Sequence, residues 1–162
     1  MLIEQAVDMA ASSQLMVQGL AEVSAKELGA IAGAATSSGE ALLETSGLLR
    51  LDEANHRHFG AQLGRPASSG AITALTLRWW NDKARSLTPG FIGEIRVRPL
   101  SDQLTELMIV GQYYPRAHLY ELVDAPFLGR MAKAVVASFL HRLGTRALGL
   151  TSDPATVHPV AS

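Results

Sequence analysis

Hydrophobic and polar side chains alternate along three segments in the second half of the chain, and this period of two predicts β-strands. The first segment, 75–80, places Leu75, Leu77 and Trp79 on one face. The segments that follow, 91–98 and 105–114, continue this apolar face with Phe91, Ile95, Val97, Leu107, Ile109 and Tyr113. Turn residues separate the segments, and such short links favour an antiparallel meander.

A long amphipathic helix is predicted after the third strand. Asp124 can cap its first amides, and Pro126 falls in the first turn, where a missing donor costs nothing. The apolar face is broad and consists of Leu128, Met131, Ala132, Val135, Val136, Phe139, Leu140 and Leu143; the opposite face is basic. So wide an apolar face needs a sheet to pack on, so we expect the strands and this helix to enclose one core or one pocket.

The N-terminal third contains weaker patterns. Residues 2–9 alternate loosely and predict a strand. Ser12 or Ser13 can cap a helix that continues to Ile31, and glycines within it predict one broken helix or two short ones; these are Gly19, Gly29 and Gly33.

The segments between this helix and the first alternating strand contain many small and turn-forming residues. Residues 34–39 are small and polar, which predicts a loop, and 40–51 fit either a helical turn leading to a strand or a hairpin. Residues 57–63 predict another strand, ended by the turn at 64–66 and the loop at 68–70.

This order of elements resembles the START-like or SRPBCC superfamily, and in particular its small bacterial members. The likeness rests on 75–79 (LTLRW), 93–100 (GEIRVRPL), 105–107 (TEL), 111–115 (GQYYP) and helix residues 129–143. It implies an α+β helix-grip fold: a curved antiparallel β-sheet wrapped around a long C-terminal α-helix, with two short N-terminal helices. We expect a single domain at 1–150 and a flexible tail at 151–162.

Composition narrows the class of protein. The chain has 162 residues, enough for one domain with a real core, and no cysteine, which excludes disulfides and thiolate metal sites. A net charge of −1 argues against a nucleic-acid partner. No run is apolar enough to span a bilayer, and Glu4 and Asp8 do not suit a secretory signal. We therefore expect a cytoplasmic protein.

The resemblance implies a cavity between sheet and helix that holds an apolar or amphipathic ligand. The residues predicted to line it are Leu75, Leu77, Trp79, Ile95, Val97, Leu107, Ile109, Tyr113, Met131, Val135 and Phe139. Trp79, Tyr113 and Met131 are the best candidates for ligand contact, because the first two carry a polar group and methionine adapts to irregular shapes. The alternative is that these side chains only fill a core.

The opposite sheet face carries charge and two outward aromatic residues. Arg78, Arg96 and Arg98 are expected to pair with Glu94 and Glu106 as a solvated surface. Outward Trp80, with Tyr114 and Met108, predicts an exposed apolar patch or a homodimer contact, although crossing the sheet edge or packing under the N-terminal strand would explain Trp80 equally well.

Candidates for catalysis and metal binding are few. If His56 and His58 lie in a strand, both point to one face, where they could hold a metal with Asp52 or Glu53. A third ligand in register is missing, and plain surface histidines are the favoured alternative, so no metal and no cofactor are predicted. No catalytic triad, zinc motif or phosphate-binding glycine loop is present, so no catalytic residue is assigned.

Three hypotheses follow. The first is a non-catalytic carrier or sensor of a lipid- or polyketide-like molecule. The second is an enzyme of the polyketide cyclase or dehydrase type; it ranks second because Tyr113 is the only titratable group on the inward faces. The third is a structural or dimerisation module with a filled core.

Overall fold

The computed structural model describes residues 1–45, 59–81, 89–116 and 119–149. Its elements are β1 (Leu2–Met9), α1 (Ser13–Glu22), α2 (Ala25–Thr45), β2 (Phe59–Leu63), β3 (Ala67–Ser69), β4 (Ile72–Asn81), β5 (Pro89–Ser101), β6 (Leu104–Tyr113), α3 (Leu119–Leu122) and α4 (Ala125–Ala147). Residues 46–58 and the tail at 151–162 lie outside the described part, so the single-domain boundary at 150 stays a prediction.

The strands form one six-stranded antiparallel sheet in the order β1-β6-β5-β4-β2, with β3 also paired to β4. The predicted meander β4-β5-β6 is confirmed, and its register aligns Leu75, Ile95 and Ile109 in one inward row. The first strand, whose partner the sequence did not indicate, closes one edge by pairing with β6. With α4 on its inner face, this curved sheet has the α+β helix-grip fold.

Helix α4 begins where its sequence predicts. The side chain of Asp124 accepts a hydrogen bond from the amide of Phe127 at 2.8 Å, and a proline occupies the first turn. All eight residues of the predicted apolar face are buried. Near the C-terminal end, Gly144 lets the helix approach the sheet closely, since a Cβ there would lie 3.1–3.3 Å from Met9 and Leu107.

Of the two expectations for this region, one broken helix or two short ones, the structure shows two helices, α1 and the longer α2, and the break between them does not fall at a glycine. Ser24, which precedes α2, accepts from the amide of Glu27, and the Glu27 carboxylate accepts in return from the amide of Ser24. This reciprocal cap starts α2. The glycines instead allow close packing, because a Cβ on Gly19 would collide with the backbone of Ala147 and a Cβ on Gly29 with the backbone of Phe59.

The loop predicted at 34–39 is wrong, because these residues lie inside the 21-residue helix α2. Small side chains there form a packing surface against α4: Ala35 is fully buried, and a Cβ on Gly39 would collide with Val135. The side chain of Thr36 donates to the carbonyl of Ala32, so a polar residue fits within the helix. The same small residues that indicate a loop also permit close helix packing.

The loop predicted at 68–70 is also partly wrong. Ala67–Ser69 forms the short strand β3, and the turn into β4 uses Gly70, whose φ of +62° suits glycine. The strand predicted at 57–63 is present as Phe59–Leu63, and residues 57 and 58 lie outside the described part.

Candidate functional site

The interior of the molecule lies between the sheet, α4 and α2. Helix α4 packs on β1 and β6, while α2 packs on both α4 and β2. Helix α1 packs on α4, β5 and β6, so these three helices and the sheet enclose one interior.

All eleven residues predicted to line a site face this interior. Ten of them are at most 1% exposed and Tyr113 is 4% exposed, and all belong to one continuous apolar cluster. They come from three strands and one helix: Leu75, Leu77, Trp79, Ile95, Val97, Leu107, Ile109, Tyr113, Met131, Val135 and Phe139. The structure therefore brings the whole predicted set together, and their contact with a ligand stays a prediction.

Three aromatic rings, one each from β4, β5 and α4, meet in this interior. The ring of Trp79 stacks on Phe91 with 4.7 Å between centroids and a 19° interplanar angle, and lies 4.5 Å from the ring of Phe139. Each of the three side chains is at most 1% exposed. The protein's own rings thus fill the middle of the interior.

Phe91 belongs to this group although the prediction of site residues omitted it. Its ring lies against two paired glycines of β5 and β6, since a Cβ on Gly111 would be 2.6 Å from the ring and one on Gly93 would be 2.9 Å away. An inward phenylalanine next to two inward glycines is the sequence signal that points to this arrangement. The ring takes the space that the glycines leave open.

An ion pair lies at the end of the interior where β6 ends. Arg116 donates to Glu40 through Nε at 3.1 Å and Nη2 at 2.7 Å, a two-point contact between α2 and the segment after β6. Glu40 is 2% exposed, and within the described part of the chain it is the only buried carboxylate. The two residues are 76 positions apart, so no local pattern pairs them.

The outer sheet face is polar, and its pairs differ in part from those expected. Arg98 binds Glu106 across strands at 2.9 Å, as predicted. Arg96 binds Glu94 on the same strand, and Arg78 binds an amide, donating to Gln62 at 2.8 and 3.1 Å.

Trp80 is half-buried on this outer face rather than an exposed docking residue. Its indole covers Gly60 of β2, where any Cβ would collide with the ring, and the guanidinium of Arg78 lies 5.3 Å from the ring centroid. The neighbouring strand and Arg78 therefore account for Trp80. A homodimer through this face stays a prediction.

The candidate metal ligands predicted from the sequence fall outside the described residues. His56, His58, Asp52 and Glu53 lie in the undescribed segment 46–58. Within the described ranges, no three metal-ligating side chains come together. Among the helices of those ranges, none is both long enough and apolar enough to cross a membrane.

Comparison with known proteins gives structural likeness without a family. No protein-family model matches the chain, and no curated protein matches it. A conserved protein from Geobacillus kaustophilus has a similar structure, with a TM-score of 0.50, 10% identity, and coverage of 92% of this chain and 96% of that one. At this identity, the likeness concerns the fold alone.

Two further solved structures are similar at lower scores. The ZhuI aromatase/cyclase from Streptomyces sp. R1128 has a TM-score of 0.41 and 15% identity, covering 91% of this chain and 93% of its own. The protein TTHA0849 from Thermus thermophilus has a TM-score of 0.39 and 11% identity, covering 92% and 98% respectively.

Proposed function

We propose that the protein binds an apolar or amphipathic small molecule, lipid- or polyketide-like, between the sheet and α4, as a non-catalytic carrier or sensor. We also propose that it belongs to the START-like or SRPBCC superfamily. The observation that carries the binding proposal is the interior itself: the inward faces of β4, β5, β6 and α4 meet in one apolar cluster. An apolar interior with a few polar groups is typical of small-molecule sites.

A ligand must displace side chains to enter, because the aromatic rings fill the interior. Exposing one such ring costs about 1.5–3 kcal/mol, whereas burying a twelve-carbon chain gains about 0.8 kcal/mol per methylene, or about 10 kcal/mol. If two rings move, about 4–7 kcal/mol of this gain remains to offset the translational and rotational freedom that the ligand loses on binding. Phe91 is the side chain best placed to move, because one part of its ring adjoins the glycines Gly93 and Gly111.

The cyclase or dehydrase hypothesis ranks below the carrier. It needs a group that moves protons within the interior, and the described residues offer Tyr113 and Glu40. Both oxygens of Glu40 already accept hydrogen bonds from Arg116, so that carboxylate serves the ion pair.

A structural module with a filled core is the second candidate. The near-zero exposure of all eleven predicted residues favours it, because a core that never opens would have the same exposure. The two candidates differ in one measurable respect: only the carrier admits a ligand beside Trp79.

The chain offers a matched pair of fluorescent reporters, since its two tryptophans lie on opposite faces of β4. In the Trp80→Phe variant, only the interior Trp79 emits; in Trp79→Phe, only Trp80 on the outer face emits. The first step is native mass spectrometry of freshly purified protein, followed by organic extraction of any bound molecule. Titration of both variants with 1-dodecanol then tests entry.

The carrier predicts a stoichiometric apolar passenger, or a saturable change in Trp79 emission that the Trp80 reporter does not show. Equal responses from both reporters would indicate surface adsorption and contradict the proposal. A ligand-free spectrum together with no response from either reporter would favour the filled-core module. A dimer mass would then support a role in association.

A further inference from the structure

Part of the guanidinium of Arg116, here called its free edge, has no hydrogen-bond partner among the described residues. A guanidinium has five N–H groups. Arg116 gives one from Nε and one from Nη2 to Glu40, which leaves one on Nη2 and two on Nη1. Within the described part of the chain no side chain binds these three, and the Arg116 side chain is 33% exposed. The Glu40 side chain, at 3% exposed, holds the guanidinium from the buried side.

The ion pair lies at one end of the apolar interior. Arg116 comes three residues after Tyr113, and the strand register places Tyr113 beside Phe91 at the same end of the sheet. On the other side, Glu40 follows Gly39, which contacts Met131 and Val135 of α4. The ion pair therefore joins α2 to the end of β6 beside residues predicted to touch a ligand.

The geometry points to a ligand with an apolar body and a carboxylate head, bound by the free edge of Arg116. This inference rests on the proposed function. A planar carboxylate accepts two parallel hydrogen bonds from a guanidinium edge, so Nη1 and Nη2 fit its two oxygens. Glu40 fixes the orientation of the guanidinium before the ligand arrives, which reduces the entropy lost on binding. Arg116 then selects acids over alcohols and esters of the same chain.

The test uses the Trp80→Phe protein as background and compares dodecanoate, methyl dodecanoate, 1-dodecanol and dodecyl phosphate at neutral pH below their aggregation limits. The key variant is the double substitution Glu40→Gln with Arg116→Gln, which removes both charges and leaves neither one buried and unpaired. Arg142→Gln is the matched control, because Arg142 binds Ser138 and Ser38 on the exposed surface of the two helices.

We expect dodecanoate to bind about tenfold more tightly than 1-dodecanol, a difference of about 1.4 kcal/mol, in the background protein and in Arg142→Gln. In the double variant this preference should fall to about one, with the affinity for 1-dodecanol unchanged. Unchanged 1-dodecanol binding also shows that the double variant is folded.

Three results would overturn the inference. Equal binding of acid and alcohol in the background protein would refute carboxylate recognition while the proposed function stands. A preference that persists in the double variant would place the anion elsewhere. Stronger binding of dodecyl phosphate than of dodecanoate would show that the carboxylate is the wrong head group. If neither dodecanoate nor 1-dodecanol binds, the proposed function itself fails.

Discussion

Replacing Phe139 by alanine should destabilise the protein strongly, because this ring is a central part of the filled interior. Phe139 is fully buried and lies 4.5 Å from Trp79. Loss of its burial costs about 1.5–3 kcal/mol, and loss of the aromatic pair adds about 0.5–1.5 kcal/mol. A residual cavity raises the cost further, so we expect a total of about 3–5 kcal/mol.

Urea denaturation followed by far-ultraviolet circular dichroism measures this loss as a lower midpoint at an unchanged slope. Tyr120→Ala is the matched control, since this aromatic side chain is 55% exposed; its free energy of unfolding should change by no more than about 0.5 kcal/mol. Phe139→Leu should fall between the two. A loss below about 1 kcal/mol in Phe139→Ala would refute the reasoning, because the ring would then adjoin open space rather than packed side chains.

The glycines and one carboxylate give two further predictions. Gly129→Ala should raise the thermal midpoint, because nothing lies near its missing Cβ and helix propensity gains about 0.5–1 kcal/mol. Gly19→Ala should lower the midpoint in the same assay, because its Cβ would collide with the last carbonyl of α4. The hydrogen bond from Arg146, followed by that from the amide of Ser24, lowers the pKa of Glu27 below its ordinary value. Because the pKa of Glu27 is lower in the folded than in the unfolded protein, its ionised carboxylate stabilises the fold at pH values above the unfolded-state pKa. This contribution is lost as the pH falls through the folded-state pKa. Arg146→Gln should therefore raise the Glu27 pKa in a carboxyl NMR titration, and an unchanged pKa would contradict the assignment of its cause.

Local sequence patterns were sufficient to predict a helix or strand wherever the residues of that element alone show which of its faces is buried. Alternation along β4, β5 and β6 showed which side chains point inward, and the capping residue Asp124 marked the start of α4. These features depend on neighbours a few residues away. The eleven predicted site residues followed from this information, together with the family resemblance.

Long-range placement decided the features that local patterns left open or indicated wrongly. Small residues at 34–39 suit both a loop and a close helix contact, and only the presence of α4 against Gly39 selects the helix. The sequence predicts that Trp80 is an outward aromatic residue, and only the pairing of β2 with β4 places Gly60 beneath its ring. In both places, the deciding partner lies on another element.

The sequence by itself determined the strands of the meander, the helix that covers them, and the apolar character of the interior between them. Tertiary structure alone decided that aromatic rings fill this interior and that Glu40 meets Arg116 at its end. The physical reason is range: periodicity reports the exposure of each element, whereas an ion pair or ring contact depends on the distance between elements far apart in the chain. That distance is set only when the sheet, α2 and α4 pack together.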